Sequence, residues 1–378
     1  MHSVTSRAVR TGRHLTLALL GAAALGACSD VEPFAAGERA QPLPSSTLQL
    51  MECVASVTDG MRCTPASPST GEALGYIYGG QNTFVRLSSS NAGYNEGTGI
   101  FSVDVTVQNL LNEAIGTMDG STPAVDGIRV FFVSEPVPTN GGTGDVEVFN
   151  ADGSAFITSA NQPYHTYTGV LATNQTSNAK TWEFTMPNTV STFRFFVAVQ
   201  TEVQYKLVIN EVGVNPGGTI LDANGEWFEI YNAGTFAVEL QNLVIADSAA
   251  SGRRPYHLIS SSVVVPAGGY VVLGNTTNTT NNGGVTVDYA YGAALQLANS
   301  LDALKIARVA GTDTLTLDRT QYSSPGVSAQ NGISRELKNP ALDNSNMDGS
   351  NWADALVTAV YGPGGRGTPK AQNSTFEP

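Results

Sequence analysis

The fold is decided by the stretch GEWFEIYNAG, residues 225–234, which places large apolar side chains just before a polar turn. Trp227, Phe228 and Ile230 supply core area, and full burial of a side chain of this size stabilises a fold by roughly 2–3 kcal/mol. The Asn-Ala-Gly at the end suits a turn, because asparagine and glycine tolerate left-handed backbone. The stretch therefore predicts a strand that contributes to a core and ends in a turn.

A β-rich unit extends in both directions from this stretch. In chain order it contains YKLVINEV, GEWFEIYNAG, VELQNLVIAD, VVVPAGGYVVLGN, LQLANSLDALKI and TLTLDRTQY. Runs of five to seven strand-forming residues are separated by Gly, Asn and Pro, which is the pattern of a β-sandwich.

In this order the segments resemble the lamin tail domain, an immunoglobulin-like module of nuclear lamins and of many bacterial secreted proteins. The resemblance begins at INEV and GEWFEI, and the later segments GISREL, GSNWADA and GTPKAQN complete it. It covers about residues 204–373 and implies an immunoglobulin-like β-sandwich. Lamin filament assembly is not implied, because no heptad run precedes the module.

A second sandwich is predicted upstream, over residues 47–203. IFSVDVTVQ, residues 100–108, alternates apolar and polar residues as a strand with one buried face does. NADG, residues 150–153, is predicted to form a hairpin turn between two short strands. The predicted fold class is therefore all-β, with two immunoglobulin-like β-sandwich domains, and this fold carries no function by itself.

The N-terminus has the features of a lipoprotein signal peptide, predicted over residues 1–27. A basic start precedes an apolar run that is too short to span a bilayer permanently. The run ends in Leu-Gly-Ala-Cys28, which resembles the lipobox of bacterial lipoproteins and implies a diacylglycerol on the Cys28 thiol. The alternative is an ordinary secretory signal with a chance cysteine.

Residues 28–46 are polar and proline-rich, and are predicted to be a flexible tether. The expected location is therefore outside the cytoplasm, with the chain anchored by lipid to the bacterial envelope at the outer membrane or cell surface. In this interpretation the membrane is a partner through the N-terminal lipid alone.

Two further cysteines, Cys53 and Cys63, have nine residues between them. In an exported chain this spacing predicts one disulfide that closes a short hairpin. A two-cysteine metal site is the alternative, but it lacks nearby histidines.

The charge of the chain argues against nucleic-acid binding. The net charge is −13, and loss of the three signal-peptide arginines would make it −16. A nucleic-acid partner requires a basic face, and no cluster of Lys and Arg occurs in the sequence. No nucleic-acid partner is expected.

No catalytic set can be assigned from the sequence. Outside the signal peptide the histidines are His165 and His257, each beside a tyrosine, and neither a Gly-x-Ser-x-Gly nor a His-Glu-x-x-His motif is present. Carboxylate pairs for glycoside hydrolysis need proximity only in space and stay open. We expect no catalytic residues and no cofactor.

The segment DNSNMDGSNW near the C-terminus has the opening of a calcium loop in Asn344, Asn346 and Asp348. The twelfth position of such a loop would hold a bidentate carboxylate, but here it is Ala355. We therefore predict a structural turn before a buried Trp352 and no metal site, with calcium binding by the three side chains left open.

These observations predict a non-catalytic, lipid-anchored envelope protein that acts as a structural or binding module for an unknown protein or glycan. The resemblance implies one alternative, because lamin-tail modules often accompany secreted nucleases and phosphatases. In that alternative the chain is an accessory or cryptic hydrolase that uses the module for targeting.

Overall fold

The computed structural model describes residues 49–66, 76–78, 80–247, 256–310, 313–323, 331–363 and 365–378. The predicted signal peptide, Cys28 and the predicted tether lie outside the described residues. Among the residues that are described, no helix is long and apolar enough to span a bilayer.

The first half of the described chain contains twelve strands in two sheets. Its strands are β1 (Met51–Ser56), β2 (Gly60–Pro65), β3 (Tyr76–Tyr78), β4 (Val85–Asn95), β5 (Ile100–Asn109), β6 (Ile128–Phe132), β7 (Val137–Pro138), β8 (Glu147–Val148), β9 (Gly153–Ala155), β10 (Gln162–Tyr167), β11 (Lys180–Thr185) and β12 (Thr192–Glu202). One sheet has the order β2-β1-β12-β6-β10-β9, with β3 and β7 also paired to β12, and the other has the order β4-β5-β11-β8.

The core of the first sandwich lies between these sheets. Strand β5 buries Phe101, Val103, Val105 and Val107 completely, as its alternating pattern predicts. Trp182 on β11 faces them from the same sheet and contacts the opposite sheet through Phe132, at 5.2 Å between ring centroids. Side chains from both sheets therefore build one aromatic-rich core.

The second half contains fourteen strands and two short helical turns. They are β13 (Leu207–Gly213), α1 (Asp222–Gly225), β14 (Trp227–Asn232), β15 (Val238–Glu239), β16 (Leu243–Asp247), β17 (His257–Leu258), β18 (Val264–Val265), β19 (Tyr270–Gly274), β20 (Tyr289–Ala290), a 3-10 turn (Gly292–Ala294), β21 (Asp302–Ala310), β22 (Asp313–Tyr322), β23 (Arg335–Leu337), β24 (Trp352–Asp354), β25 (Val360–Gly362) and β26 (Gly365–Arg366). The main sheets have the orders β20-β19-β14-β13-β23-β24 and β17-β16-β21-β22.

The stretch GEWFEIYNAG forms β14 and the turn after it, as predicted. Phe228 and Ile230 are fully buried in the core of the second sandwich. The Asn232 side chain fixes the turn, since its Nδ2 donates to the carbonyl oxygens of Phe236 (2.6 Å) and Val265 (3.1 Å). The prediction of an all-β chain with immunoglobulin-like sandwiches is confirmed.

The disulfide between Cys53 and Cys63 is present and joins β1 to β2. The two cysteines are direct cross-strand partners in the hairpin, and both are buried. Since each thiol is consumed by the other, the alternative of a two-cysteine metal site is ruled out for this pair.

The predicted hairpin at residues 150–153 is wrong. Strands β8 and β9 on either side pair with different partners, β11 and β10, in different sheets. The segment crosses between the sheets because Asn150 is held by β11, where its Nδ2 donates to the Thr181 carbonyl oxygen at 3.0 Å. Asp152 is held from the other side, since it accepts from the Thr166 backbone N–H at 2.7 Å.

The two sandwiches contact each other through polar groups and an aromatic pair. Glu113 is buried and accepts hydrogen bonds from the Thr235 backbone N–H and hydroxyl, both at 2.8 Å. Arg308 of the second sandwich forms an ion pair with Glu202 of the first. Phe84 and Phe236 add an edge-to-face ring contact at 6.3 Å.

Candidate binding cleft and its supporting carboxylates

A cleft with a volume of about 340 Å³ lies on the second sandwich. One side is formed by β14 and β19, and the others by the loop after β23 and by the last residues of the chain. Its lining is Asn210, Tyr231, Ala233, Tyr270, Leu337, Asn339, Pro340, Ala341, Gln372, Asn373 and Phe376. This volume is within the range of small-molecule sites in proteins, roughly 300–1,000 Å³.

Two tyrosines form an aromatic pair in the cleft. Tyr231 and Tyr270 are direct cross-strand partners on β14 and β19, with ring centroids 4.8 Å apart and ring planes tilted by 38°. Both rings are half-buried. Burial, followed by the nearby Glu229 and Tyr231, raises the pKa of Tyr270 to about 12. The Tyr270 phenol therefore stays neutral and keeps its proton for donation at physiological pH.

The remaining polar groups of the cleft are amides. Asn339 is held in place because its Nδ2 donates to the Glu377 carbonyl oxygen at 2.9 Å and its Oδ1 accepts from the Ala341 N–H at 2.9 Å. Gln372 is exposed. Asn210 is 1% exposed, and its Oδ1 finds no hydrogen-bond partner in the described part of the chain. The cleft thus offers neutral donors and acceptors next to aromatic rings.

One wall of the cleft belongs to the C-terminal strap, which we define as residues 367–376. Asn373 fixes the strap, because its Nδ2 donates to the carbonyl oxygens of Asn210 (3.0 Å) and Leu337 (2.7 Å). A Cβ atom at Gly367 would lie 2.5 Å from Glu211 Oε1, so the start of the strap approaches the sheet as only glycine allows.

Beneath the strap lies a carboxylate row, which we define as Glu211, Glu229 and Glu336. In the sheet Glu211 is the direct cross-strand partner of both Glu229 and Glu336, so the row crosses three neighbouring strands. All three residues are fully buried. Glu229 is two residues before Tyr231 on β14, so both side chains lie on the same face of the sheet.

Protein donors satisfy each carboxyl group of the row. Glu211 accepts from the Ser334 hydroxyl at 2.5 Å and from the Thr368 N–H at 2.9 Å. Glu229 accepts from Asn210 Nδ2 at 2.9 Å and from the Lys370 N–H at 2.5 Å.

Glu336 accepts from the Ser374 hydroxyl at 2.8 Å and the Thr375 N–H at 2.9 Å. Every member of the row therefore binds the strap directly.

Burial changes the proton affinity of the row. Burial, with Glu336 as a second cause, raises the pKa of Glu211 to about 8. Burial, with Glu211 as a second cause, raises the pKa of Glu229 well above its usual value. Within the described residues no Lys, Arg or His forms an ion pair with the row. At neutral pH Glu211 is therefore held mainly in the protonated form, and burial shifts the pKa of Glu229 in the same direction.

The row supports the strap and does not face the cleft as a reaction centre. A pair of catalytic carboxylates must reach a substrate, whereas these three side chains have no exposed surface and are occupied by protein hydrogen bonds. Their chemistry is that of buried acceptors, which position the strap and hence one wall of the cleft.

The two histidines lie in different sandwiches. His165 is fully buried and stacked on Trp182 at 5.2 Å, and its Nδ1 is 3.8 Å from Asp152. Burial lowers the pKa of His165 to about 4, so the ring is neutral. His257 is half-buried, and its Nε2 shares a hydrogen bond of 2.7 Å with the Tyr289 hydroxyl. Neither histidine lines the cleft.

The calcium-like segment is folded as a turn. Asn344 Nδ2 donates to the Ile209 carbonyl oxygen at 3.2 Å, and Trp352 Nε1 donates to the Asn344 carbonyl oxygen at 3.2 Å. The Asn346 side chain accepts from the Asp348 N–H, and the Asp348 carboxylate accepts from Ser323. The side chains of Asn344, Asn346 and Asp348 are therefore engaged in hydrogen bonds within the protein. In the described ranges no three His, Cys, Asp or Glu side chains are grouped as metal ligands.

The residues of the cleft and of the row are not predicted by the sequence analysis. The three glutamates stand in INEV, GEWFEI and SREL, which the sequence analysis uses only to identify the fold. One signal was available: each of these three motifs has a glutamate at a strand position, and the three strands pair in one sheet. For Tyr231 and Tyr270 no comparable signal exists, because only the sheet order brings them together.

Fold and site together define an all-β protein with two immunoglobulin-like sandwiches and a polar-aromatic cleft on the second. Residues 200–324 match the family model described as Lamin Tail Domain, so the second sandwich carries a lamin tail domain. Beyond this match, β23, β24 and the strap extend and cover the same sheet.

A search of curated proteins gives no match. Among solved structures, a DUF4876 family protein from Bacteroides thetaiotaomicron is similar to 81% of this chain and 91% of its own, at 11% identity and a TM-score of 0.31.

Proposed function

We propose that this chain is a non-catalytic binding protein of the bacterial cell envelope, and that the cleft of its lamin tail domain is the ligand site. The observation that carries the proposal is the open aromatic pair of Tyr231 and Tyr270 beside fixed amides. Such a site fits a binding role, because a few placed polar groups set orientation while the rings supply contact area.

The proposed absence of catalysis rests on the state of the titratable groups. His165 is buried away from the cleft, and His257 is engaged by Tyr289. The carboxylate row is covered by the strap. A general acid or base must reach its substrate, and these groups are occupied within the protein.

The proposed binding can be tested with envelope extract and the purified full chain. We expect the chain to retain envelope material on a column, and Tyr231→Ala with Tyr270→Ala to reduce retention about tenfold, because the aromatic contact area is lost. Tyr256→Ala is the matched control, since Tyr256 is 45% exposed and lies outside the cleft. Equal retention by the double variant would refute the cleft as the ligand site.

The accessory hydrolase remains an alternative that the same material can test. Incubation of the purified chain with nucleic acid, phosphoesters and glycans should give no turnover. Turnover that disappears in His165→Ala or His257→Ala would establish a hydrolase instead.

The envelope location is proposed from the lipobox, with a diacylglycerol on Cys28. Cys28→Ser should move the protein from the membrane fraction to the soluble fraction, because the lipid is the proposed anchor. Fractionation followed by immunoblotting measures this. Retention of the variant in the membrane fraction would contradict the anchor.

A further inference from the structure

We propose that the ligand of the cleft is a neutral glycan, bound with a sugar ring against the Tyr231 and Tyr270 pair. This inference rests on the proposed function, since it names the ligand class of that site. It is carried by three properties of the lining: its aromatic pair, its amides and its lack of ionised groups.

The aromatic pair matches the shape and chemistry of a pyranose ring. One face of such a ring presents C–H groups, which pack against the negative face of an aromatic ring. Tyr231 and Tyr270 are adjacent across two paired strands, with ring centroids 4.8 Å apart, ring planes tilted by 38° and both residues partly exposed. Because the strands hold both rings, the aromatic pair is formed before the ligand arrives, which reduces the entropy lost on binding.

The amides match the hydroxyl groups of a sugar. Each hydroxyl both donates and accepts, and each asparagine or glutamine amide offers two donors and one accepting oxygen. Gln372 is exposed at the cleft, and Asn339 lies in its lining with its side chain fixed by the Glu377 carbonyl oxygen and the Ala341 N–H. An exposed amide such as that of Gln372 can donate to one sugar hydroxyl and accept from another.

The charge of the lining favours a neutral ligand. None of the eleven lining residues is Asp, Glu, Lys, Arg or His. A carboxylated or sulfated polysaccharide would find no cation here, and the whole chain repels it with a net charge of −13. The lining offers a cationic ligand no carboxylate, and the carboxylate row is fully buried.

The strand pairing disfavours an extended peptide at this place. A peptide that adds to a sheet needs an open strand edge. Strand β14 is paired on both sides, with β13 and β19, and β19 is paired with β14 along its length and with β20 at Leu273 and Gly274. At β14 the cleft therefore offers side chains to a ligand and no free backbone ladder.

Calorimetric titration of the full chain, in a detergent without a sugar headgroup, tests the inference. The probes are neutral gluco-, manno-, galacto- and xylo-oligosaccharides, with oligogalacturonate as the acidic comparison. We expect at least one neutral probe to bind, with affinity reduced about tenfold or more in Tyr231→Ala and in Tyr270→Ala. Tyr231→Phe should retain most of the affinity, and Tyr256→Ala all of it. Unchanged near-UV circular dichroism verifies that the variants fold.

Three results would overturn the inference: preference for oligogalacturonate, neutral binding that Tyr231→Ala leaves unchanged, or no binding of any neutral probe. If neutral probes fail while retention of envelope material still depends on Tyr231, the glycan inference fails and the proposed binding function stands. If retention is also independent of Tyr231, both the glycan and the binding site fail.

Discussion

Glu211→Ala should lower the free energy of unfolding by about 3 kcal/mol at pH 5, because it removes the acceptor of a buried backbone N–H and leaves a cavity beneath the strap. The N–H is that of Thr368, at 2.9 Å from Glu211, while the Ser334 hydroxyl loses its bond of 2.5 Å to Glu211 and keeps the Arg366 carbonyl oxygen at 3.1 Å. The loss should concentrate on the strap, since Thr368 belongs to it. Urea unfolding followed by circular dichroism measures the free energy, and faster amide exchange in the strap shows its location.

Glu211→Gln is the matched control, because the oxygen of the glutamine amide can take the place of Glu211 Oε1 as an acceptor. The amide nitrogen would then take the place of Oε2, which lies 3.2 Å from Thr368 Oγ1. At pH 5 this variant should be within about 1 kcal/mol of the wild type, since the acceptor is kept. Equal stability of Glu211→Ala and Glu211→Gln at pH 5 would show that the hydrogen bonds to the row do not support the fold.

The wild type and Glu211→Gln should differ in how their free energies of unfolding depend on pH. The folded pKa of Glu211 is about 8, above the ordinary value of 4.5. Between these values the folded state holds a proton that the unfolded state has lost, so unfolding free energy falls as pH rises, by up to about 1.4 kcal/mol per pH unit. The contribution of Glu211 to stability is therefore fully present below pH 4.5 and is lost as the pH rises through about 8.

Glu211→Gln should flatten this fall and make the variant more stable than the wild type at pH 8. A remaining slope is expected from Glu229, whose pKa is also raised by burial. Parallel pH profiles for the two proteins would contradict the buried protonated state of Glu211.

Trp182→Ala should destabilise the chain by about 4 kcal/mol through loss of a large buried side chain and the cavity left behind. Trp182 is fully buried, and its Nε1 donates to the Tyr167 hydroxyl at 3.1 Å. That hydroxyl donates in turn to the Val105 carbonyl oxygen at 3.0 Å. The tryptophan thus joins both sheets of the first sandwich, as its ring contact with Phe132 also shows. Thermal and urea unfolding measure the loss.

Trp182→Phe should lose less, about 1–2 kcal/mol, because an aromatic ring still fills most of the site, while the hydrogen bond to Tyr167 and part of the buried volume are lost. Phe149→Ala is the surface comparison, since Phe149 is 60% exposed, and should stay within about 0.5 kcal/mol of the wild type. A loss below 1 kcal/mol for Trp182→Ala would contradict its role in the core.

The strands with one buried face could be predicted from sequence because their signal is local. Alternation in β5 places Val103 and Val105 in the core, and the apolar run with its polar turn at β14 predicts Phe228 and Ile230 there. The turn residue Asn232 follows the same local logic. The hairpin prediction at residues 150–153 is wrong because a turn signal does not specify which strands pair. Here the strands on either side of the turn pair in different sheets.

The cleft and the row could not be predicted, because both depend on contacts between distant segments. Tyr231 and Tyr270 meet through the order of β14 and β19, and Gln372 reaches them only because the strap folds back. In an antiparallel strand, an acidic residue normally lies on the solvent-facing side. Glu211 and Glu229 break this rule because the strap covers that face, which turns a polar surface into a buried one.

Hydrogen–deuterium exchange of the full chain, with and without envelope extract at saturation, tests the central claim most directly. The account predicts that bound ligand slows exchange in β14, in β19 and in the strap, and that Tyr231→Ala with Tyr270→Ala abolishes this protection. Protection confined to the first sandwich, or unchanged in the double variant, would contradict a ligand site in the cleft.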